Sequence, residues 1–309
     1  MPAPLHTPDI ALKNFLVSLL CALGALNPAL ADAPAAPVNE QQFEAGLKFQ
    51  TGKIALPGGI ATLDLPASFR YLPPADAETV LTKGWGNPPG HKTLGMIVPA
   101  GVNVVSAASW GVVITYDEDG HVADDEADSI KYDELLKTIQ KELADANPER
   151  QKQGYGSMTL VNWAESPRYD KTSHKMYWAQ ELQIDNAPVH TLNYNIRVLG
   201  RKGVLVLNAV AGMDQLATIR EEMKLVTAVS EFTPGNRYTD FNSTTDKVAE
   251  YGLAALVAGG VASKLGLFGK LLALLLAFKK LIFVGIAAAG TGIYRFFTGR
   301  SDSKVNLDK

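Results

Sequence analysis

The side chains best suited to chemistry fall into four groups. The first is the loop Gly84-Trp85-Gly86-Asn87-Pro88-Pro89-Gly90. Glycines flanking Trp85 and two prolines behind it exclude the interior of a helix or strand. A rigid loop of this kind can present the indole as a platform for a sugar, a proline or a base. Alternatively, the glycines permit a turn that tucks the indole into the core. The second group is Tyr116-Asp117-Glu118-Asp119-Gly120-His121-Val122, continued by Asp124-Asp125-Glu126-Ala127-Asp128. Oxygen-rich loops with a glycine bend can hold calcium, but His121 takes the fifth position, where a helix-loop-helix calcium site needs an oxygen ligand. The other reading is a solvated turn and a negative approach to the next helix N-terminus. The third group is His91, His121, His174 and His190. None lies within four residues of another and no H-E-x-x-H frame occurs, so each reads as a surface or strand-edge residue. The fourth is the aromatic series Trp163, Tyr169, Tyr177, Trp178 and Tyr194 with Arg168 and Arg197. On neighbouring strands these residues line one face of a sheet or pair across strands within a core.

None of the groups assembles an activated nucleophile. No G-x-S-x-G, S-x-x-K or Walker pattern occurs, and Gly154-Tyr155-Gly156-Ser157-Met158 lacks the closing glycine of a nucleophile elbow. The single cysteine, Cys21, lies in an apolar leader, so no disulfide framework or cysteine-ligated metal is expected downstream. No catalytic residue, metal ligand or cofactor is assigned. The candidate binding residues are Trp85, Asn87, Trp163 and Tyr169. If the chain were an enzyme, its acid–base groups would come from the acids of 117–128 or from Glu165.

The elements that must position these residues alternate in type. Two apolar runs around Pro57-Gly58-Gly59 read as a hairpin over 52–66, with a short strand over 69–72. Asp76 can cap a helix over 77–83. Strands are expected over 93–99 and 110–116, where β-branched and aromatic residues concentrate. Leu135, Leu136, Ile139 and Leu143 fall at helical spacing over 132–147, and Pro148 marks the end. Four strands follow, at 157–164, 174–184, 189–199 and 203–211, joined by hairpin-length connections. A last helix spans 215–229. Long strands in series with helices set apart indicate an α+β fold with an antiparallel sheet.

Both ends are apolar. Lys13, the run from Phe15 to Leu26 and the Ala29-Leu30-Ala31 site have the layout of a secretory signal cleaved after Ala31. From Tyr251 to Phe297 the chain is mostly Leu, Ala, Gly, Val, Ile and Phe, interrupted by Lys264, Lys270, Lys279, Lys280 and Arg295. Two topologies fit. In a helical hairpin, 253–278 and 281–298 both span, with Lys279 and Lys280 at the cytoplasmic turn and a cost of about 2.5–3.5 kcal/mol for each lysine near mid-bilayer. Otherwise 253–278 lies at the interface and only 281–298 crosses. The expected divisions are 1–31 signal, 32–246 extracytoplasmic α+β domain and 247–309 membrane anchor with a short tail. Of the 309 residues, 29 are Lys or Arg and 32 are Asp or Glu; 247–309 holds nine basic and three acidic side chains, and 32–246 holds 19 and 28. The acidic central part excludes a nucleic-acid partner, whose phosphates need basic contacts. The basic apolar tail suits the lipid bilayer.

The 52–65 run, the 84–89 loop, Asp119-Gly120-His121-Val122 with Asp124-Asp125 leading into Tyr132-Asp133-Glu134-Leu135-Leu136, Trp163-Ala164 and the Lys/Leu-rich tail together resemble the DUF2167 family over roughly 40–298. The resemblance implies a bacterial membrane-anchored protein of unknown function and brings no catalytic residue. More loosely, the element order is similar to α+β domains of the photosystem extrinsic-subunit type. The expectation is an envelope interaction protein, a scaffold or sensor on the bacterial inner membrane with its domain in the periplasm and an envelope protein as partner. An enzyme acting on an envelope polymer or lipid and a subunit of a membrane transport assembly are the alternatives.

Overall fold

The computed structural model describes residues 40–259, except 88, 91, 153, 155 and 186. The leader and the expected spans beyond 259 lie outside the described residues. Chain order is α1 (Glu40–Ala45), β1 (Gly52–Ala55), β2 (Ala61–Leu65), β3 (Phe69–Leu72), α2 (Pro74–Thr79), β4 (Gly95–Pro99), β5 (Gly111–Asp117), α3 (Tyr132–Lys152), β6 (Met158–Asp170), β7 (Lys175–Ile184), β8 (Thr191–Leu199), β9 (Val204–Gly212), α4 (Leu216–Ala228), β10 (Ser230–Phe232) and α5 (Leu253–Ala258). The fold is α+β. Strands β3-β4-β5-β9-β8-β7-β6 form one antiparallel sheet and β1-β2-β10 a second.

Alternation along the strands divides the large sheet into two faces. Leu192, Tyr194, Ile196 and Val198 of β8, with Leu205, Leu207 and Ala209 of β9, pack with α4 and the small sheet. The opposite face is covered by two clusters. Leu135, Ile139 and Leu143 of α3 and Leu253, Leu256 and Val257 of α5 meet Met176, Trp178 and Val206. Val80 and Leu81, next to α2, meet Met96, Val98 and Val113. Lys175, nearly fully buried, ties the first face together. Its Nζ donates to the carbonyls of Thr227 (3.0 Å) and Ser230 (3.3 Å) and to Glu231 Oε1 (3.0 Å). A lysine is thereby placed where the helix end leaves carbonyls without intrahelical donors.

Three expectations need correction. Helix α3 does not stop at Asn147 but runs through Pro148 to Lys152. The Asn147 side chain ties the helix to β6 instead, donating to Met158 O (3.0 Å) and accepting from Met158 N (2.8 Å). Strand β6 does not stop at Ala164. It runs through Pro167 to Asp170, 13 residues in all, with register shifts on both sides of Glu165. An edge strand with bulges tolerates the missing donor of proline. Finally, the chain after 246 is packed, so the expected division at 246/247 passes through the fold. Val248 bridges to His121, and α5 buries Leu253, Leu256 and Val257 before ending at Gly259 in the left-handed region (φ 105°). Of the arm expected over 253–278, only α5 and its Gly259 cap are described; the remainder lies outside the described residues. Among the described residues, no helix is long and apolar enough to cross a membrane.

Candidate functional site

After β10 the chain runs back across the end of the large sheet as a strap, residues 233–252, that leads into α5. Its attachments are specific. Arg201 grips Asp246 with two hydrogen bonds (2.6 and 3.0 Å), holding that carboxyl down at about 2. His121 N donates to Lys247 O and Ala249 N to His121 O, both at 2.8 Å. This approach needs Gly120: a Cβ there would stand 2.8 Å from Lys247 O, and its φ of 116° disfavours any other residue. Tyr251 donates to Asp119 Oδ2 (3.0 Å), and Glu126 Oε1 accepts from Ala254 N (2.9 Å) at the start of α5.

At the centre of these attachments is a run of ring contacts. Phe241 stacks on His121 at 3.9 Å, His121 meets Tyr238 at 4.2 Å, and Tyr238 stacks on His174 at 4.0 Å. His174 arrives from the β6–β7 turn in the left-handed region (φ 51°), a conformation that costs a non-glycine residue roughly 1–2 kcal/mol. Asp170 shapes that turn, accepting from Thr172 N (2.9 Å) and Ser173 Oγ (2.7 Å). A polar rim borders the rings. Tyr169 OH donates to Asp124 Oδ2 (2.8 Å) and lies 3.2 Å from His174 Nδ1, while Tyr238 OH donates to Val122 O (3.1 Å).

The protonation states follow from these surroundings. Burial lowers His121, against the opposing effects of the nearby Gly200 carbonyl and Asp124. Burial raises Tyr169 and Tyr238 far above the usual phenol range, and the Asp124 charge adds to it. Asp124 is lowered on balance: burial pushes it up, but the Tyr169 and Tyr238 hydroxyls and His174 outweigh that. Near neutral pH the constellation thus holds a carboxylate rimmed by neutral phenols, with the His121 and His174 rings packed against Tyr238. The Asp124 and His174 side chains keep about a quarter of their surface in solvent. Such a patch can accept hydrogen bonds and stack on a basic or aromatic side chain.

Of the four candidate residues, only Tyr169 belongs to this patch. Trp163 packs beside α3 and donates from Nε1 to Tyr132 O (3.3 Å). Trp85 packs in the separate cluster near α2, its Nε1 donating to Val104 O (2.8 Å). Asn87, 5% exposed, donates its backbone N–H to Leu81 O. The acids of 117–128 do not converge on an ion. They spread outward as tethers to Tyr251, Tyr169, Ala254 and Lys171. Among the described residues no three side chains are placed to hold a metal. Glu165, the alternative acid, is gripped by Arg220 and accepts from Tyr194 OH (3.0 Å). The sequence reading also missed His121 as a buried residue, 9% exposed. No local signal could have found it, because its ring partners lie more than a hundred positions away.

The fold and site define an α+β domain with a ring-lined patch where the 233–252 strap meets the 117–128 loop and the β6–β7 turn. The chain belongs to the family described as protein of unknown function (DUF2167), whose model matches residues 48–290. No curated protein matches it. Among solved structures it is similar to cyanobacterial PsbP (CyanoP) from Synechocystis sp. PCC 6803, with 13% identity, a TM-score of 0.33, and 65% of this chain and 99% of that one covered. It is also similar to the Ran-binding protein Mog1p of Saccharomyces cerevisiae (9%, TM-score 0.32, 63% and 100% covered). A third likeness is to LpqN of Mycobacterium tuberculosis, involved in cell envelope biogenesis (14%, TM-score 0.29, 65% and 100%). At these identities and TM-scores the likenesses do not bear on what this chain binds.

Proposed function

We propose that the chain is a binding domain of the bacterial cell envelope, a scaffold or sensor held at the inner membrane by its apolar tail. Its docking patch is the set Asp124, Tyr169, His174 and Tyr238. The observation that carries this reading is the position of the patch. It is partly exposed, fixed by a strained turn on one side and on the other by the strap that leads into α5. Preorganised side chains lose little freedom on binding, which favours recognition over mere packing. The acidic surroundings and the aromatic rings suit a partner presenting basic and aromatic side chains.

The test is site-specific photo-crosslinking of the full-length protein in native membranes. A photoreactive residue at exposed Thr172, beside the patch, is compared with one at exposed Lys224 on α4, on the other side of the sheet. A discrete adduct from position 172 that is lost with Asp124→Ala, and is absent from position 224, is the expected result. Identical adducts from both positions, or none from 172, would refute the reading.

A further inference from the structure

The face of the large sheet beneath α5 carries a buried tract whose donors the described residues leave largely unmatched. By register, Arg197 of β8 stands between Met176 of β7 and Val206 of β9. Two residues along β8, Asn195 lies between Trp178 and Asn208, and Asn193 follows. Arg197 is 4% exposed and stacks on Trp178, its guanidinium carbon 4.8 Å from the indole centroid. A guanidinium brings five N–H donors. Among the described residues, the one hydrogen bond it makes is a long one, 3.4 Å, to Ile196 O. Among the described residues, no carboxylate comes within ion-pairing distance of it; Asp117 acts on it only at longer range. Trp178 is 2% exposed and its Nε1 has no partner among the described residues. The amides alongside are already engaged with one another: Asn195 Nδ2 reaches Asn193 Oδ1 (2.5 Å) and Asn193 Nδ2 reaches Asn208 Oδ1 (2.8 Å).

Buried donors are normally matched, and a buried charge without hydrogen bonds is costly. A guanidinium with one long backbone acceptor, in contact with an indole whose N–H has none among the described residues, is a complement to one chemical group. We propose that Arg197 and Trp178, walled by Asn195, form a site for a small carboxylate ligand whose oxygens accept from the guanidinium and from the indole N–H. A planar monoanion matches the guanidinium fork in geometry and charge. A phosphate is the poorer fit, because one cation would have to neutralise more than one negative charge while Asp117 remains nearby. This site is separate from the docking patch and does not depend on it.

The experiment uses the full-length protein in detergent, labelled with nitrogen-15 at its four tryptophans. The indole N–H signals are followed during titration with sodium acetate, and in parallel with sodium phosphate and sodium chloride at equal ionic strength. The Trp178 signal is assigned from Trp178→Phe. The expected result is a saturable shift of that signal with acetate, about ten-fold weaker or absent with phosphate and chloride. Arg197→Lys, which keeps the charge but loses the fork, should weaken the acetate response about ten-fold. If Arg197→Lys fails to fold, the wild-type titration decides alone. No saturable shift at Trp178, an equal response to all three anions, or a shift confined to another tryptophan would overturn the proposal. The first of these outcomes would mean that ordered water alone meets the two donors.

Discussion

Trp85 commits its one polar atom to its own chain. The indole packs against the α2-side cluster and donates to Val104 O (2.8 Å), so its replacement removes both apolar burial and a hydrogen bond. Trp85→Ala should lower the unfolding free energy by about 3 kcal/mol, as core aromatic truncations do, read by urea unfolding with circular dichroism. A recognition platform would lose less than about 1 kcal/mol. Lys175 makes a second case at this scale. It is buried with three acceptors around Nζ, two of them backbone carbonyls near the end of α4. Lys175→Met should fill the space but leave those acceptors without their donor, at a cost of about 2 kcal/mol. An unchanged midpoint in the same urea series would show that water replaces the ammonium without penalty.

The strap is the element whose hold depends on pH. His121 is clamped between Phe241 and Tyr238 and its backbone bridges to 247 and 249. Its pKa in the fold lies below the ordinary histidine value. The unfolded chain therefore binds more protons in that window, and stability rises with pH there. The His121 contribution is complete above about 6.5, the ordinary histidine value, and is lost as pH falls from there through the lowered folded value. Asp124 acts in the same sense at lower pH, because its carboxyl is lowered in the fold. Opening of 247–249, read by amide exchange corrected for its intrinsic pH dependence, should increase as pH falls below about 6.5, while β8 and β9 should not open selectively. His121→Phe should remove the upper part of this dependence. Little of this element was legible beforehand. Most strands and α3 declared themselves through periodicity, but α3 runs past Pro148, β6 runs past Ala164, and the three-residue β10 gave no signal. The ring contacts join the 117–128 loop, the β6–β7 turn and the strap, which no local pattern links. Trp85 was ambiguous because glycine and proline shape an exposed loop and a tucked one alike.

At the scale of the molecule, the open question is where the folded domain ends and the apolar tail begins. Hydropathy does not mark the point, since 253–258 (LAALVA) reads the same whether its neighbours are lipid chains or Leu and Trp side chains. The structure places these residues in the core beside Trp178 and Val206 and ends the helix at Gly259. A chain stopped at 246 therefore loses Leu253, Leu256 and Val257, each worth about 1.5–3 kcal/mol when buried. It also loses the tethers to His121, Asp119 and Glu126. A chain stopped at 259 keeps all of them. Even if relaxation recovers half of the loss, about 3 kcal/mol is a large part of the 5–15 kcal/mol typical of a domain. For a domain of this size that corresponds to a melting temperature lower by about 10 °C. The measurement is a pair of thermal melts, 40–246 beside 40–259, followed by circular dichroism at one protein concentration. Coincident melts would show that α5 rests on the domain without stabilising it, and the limit of the fold would move back to the strap.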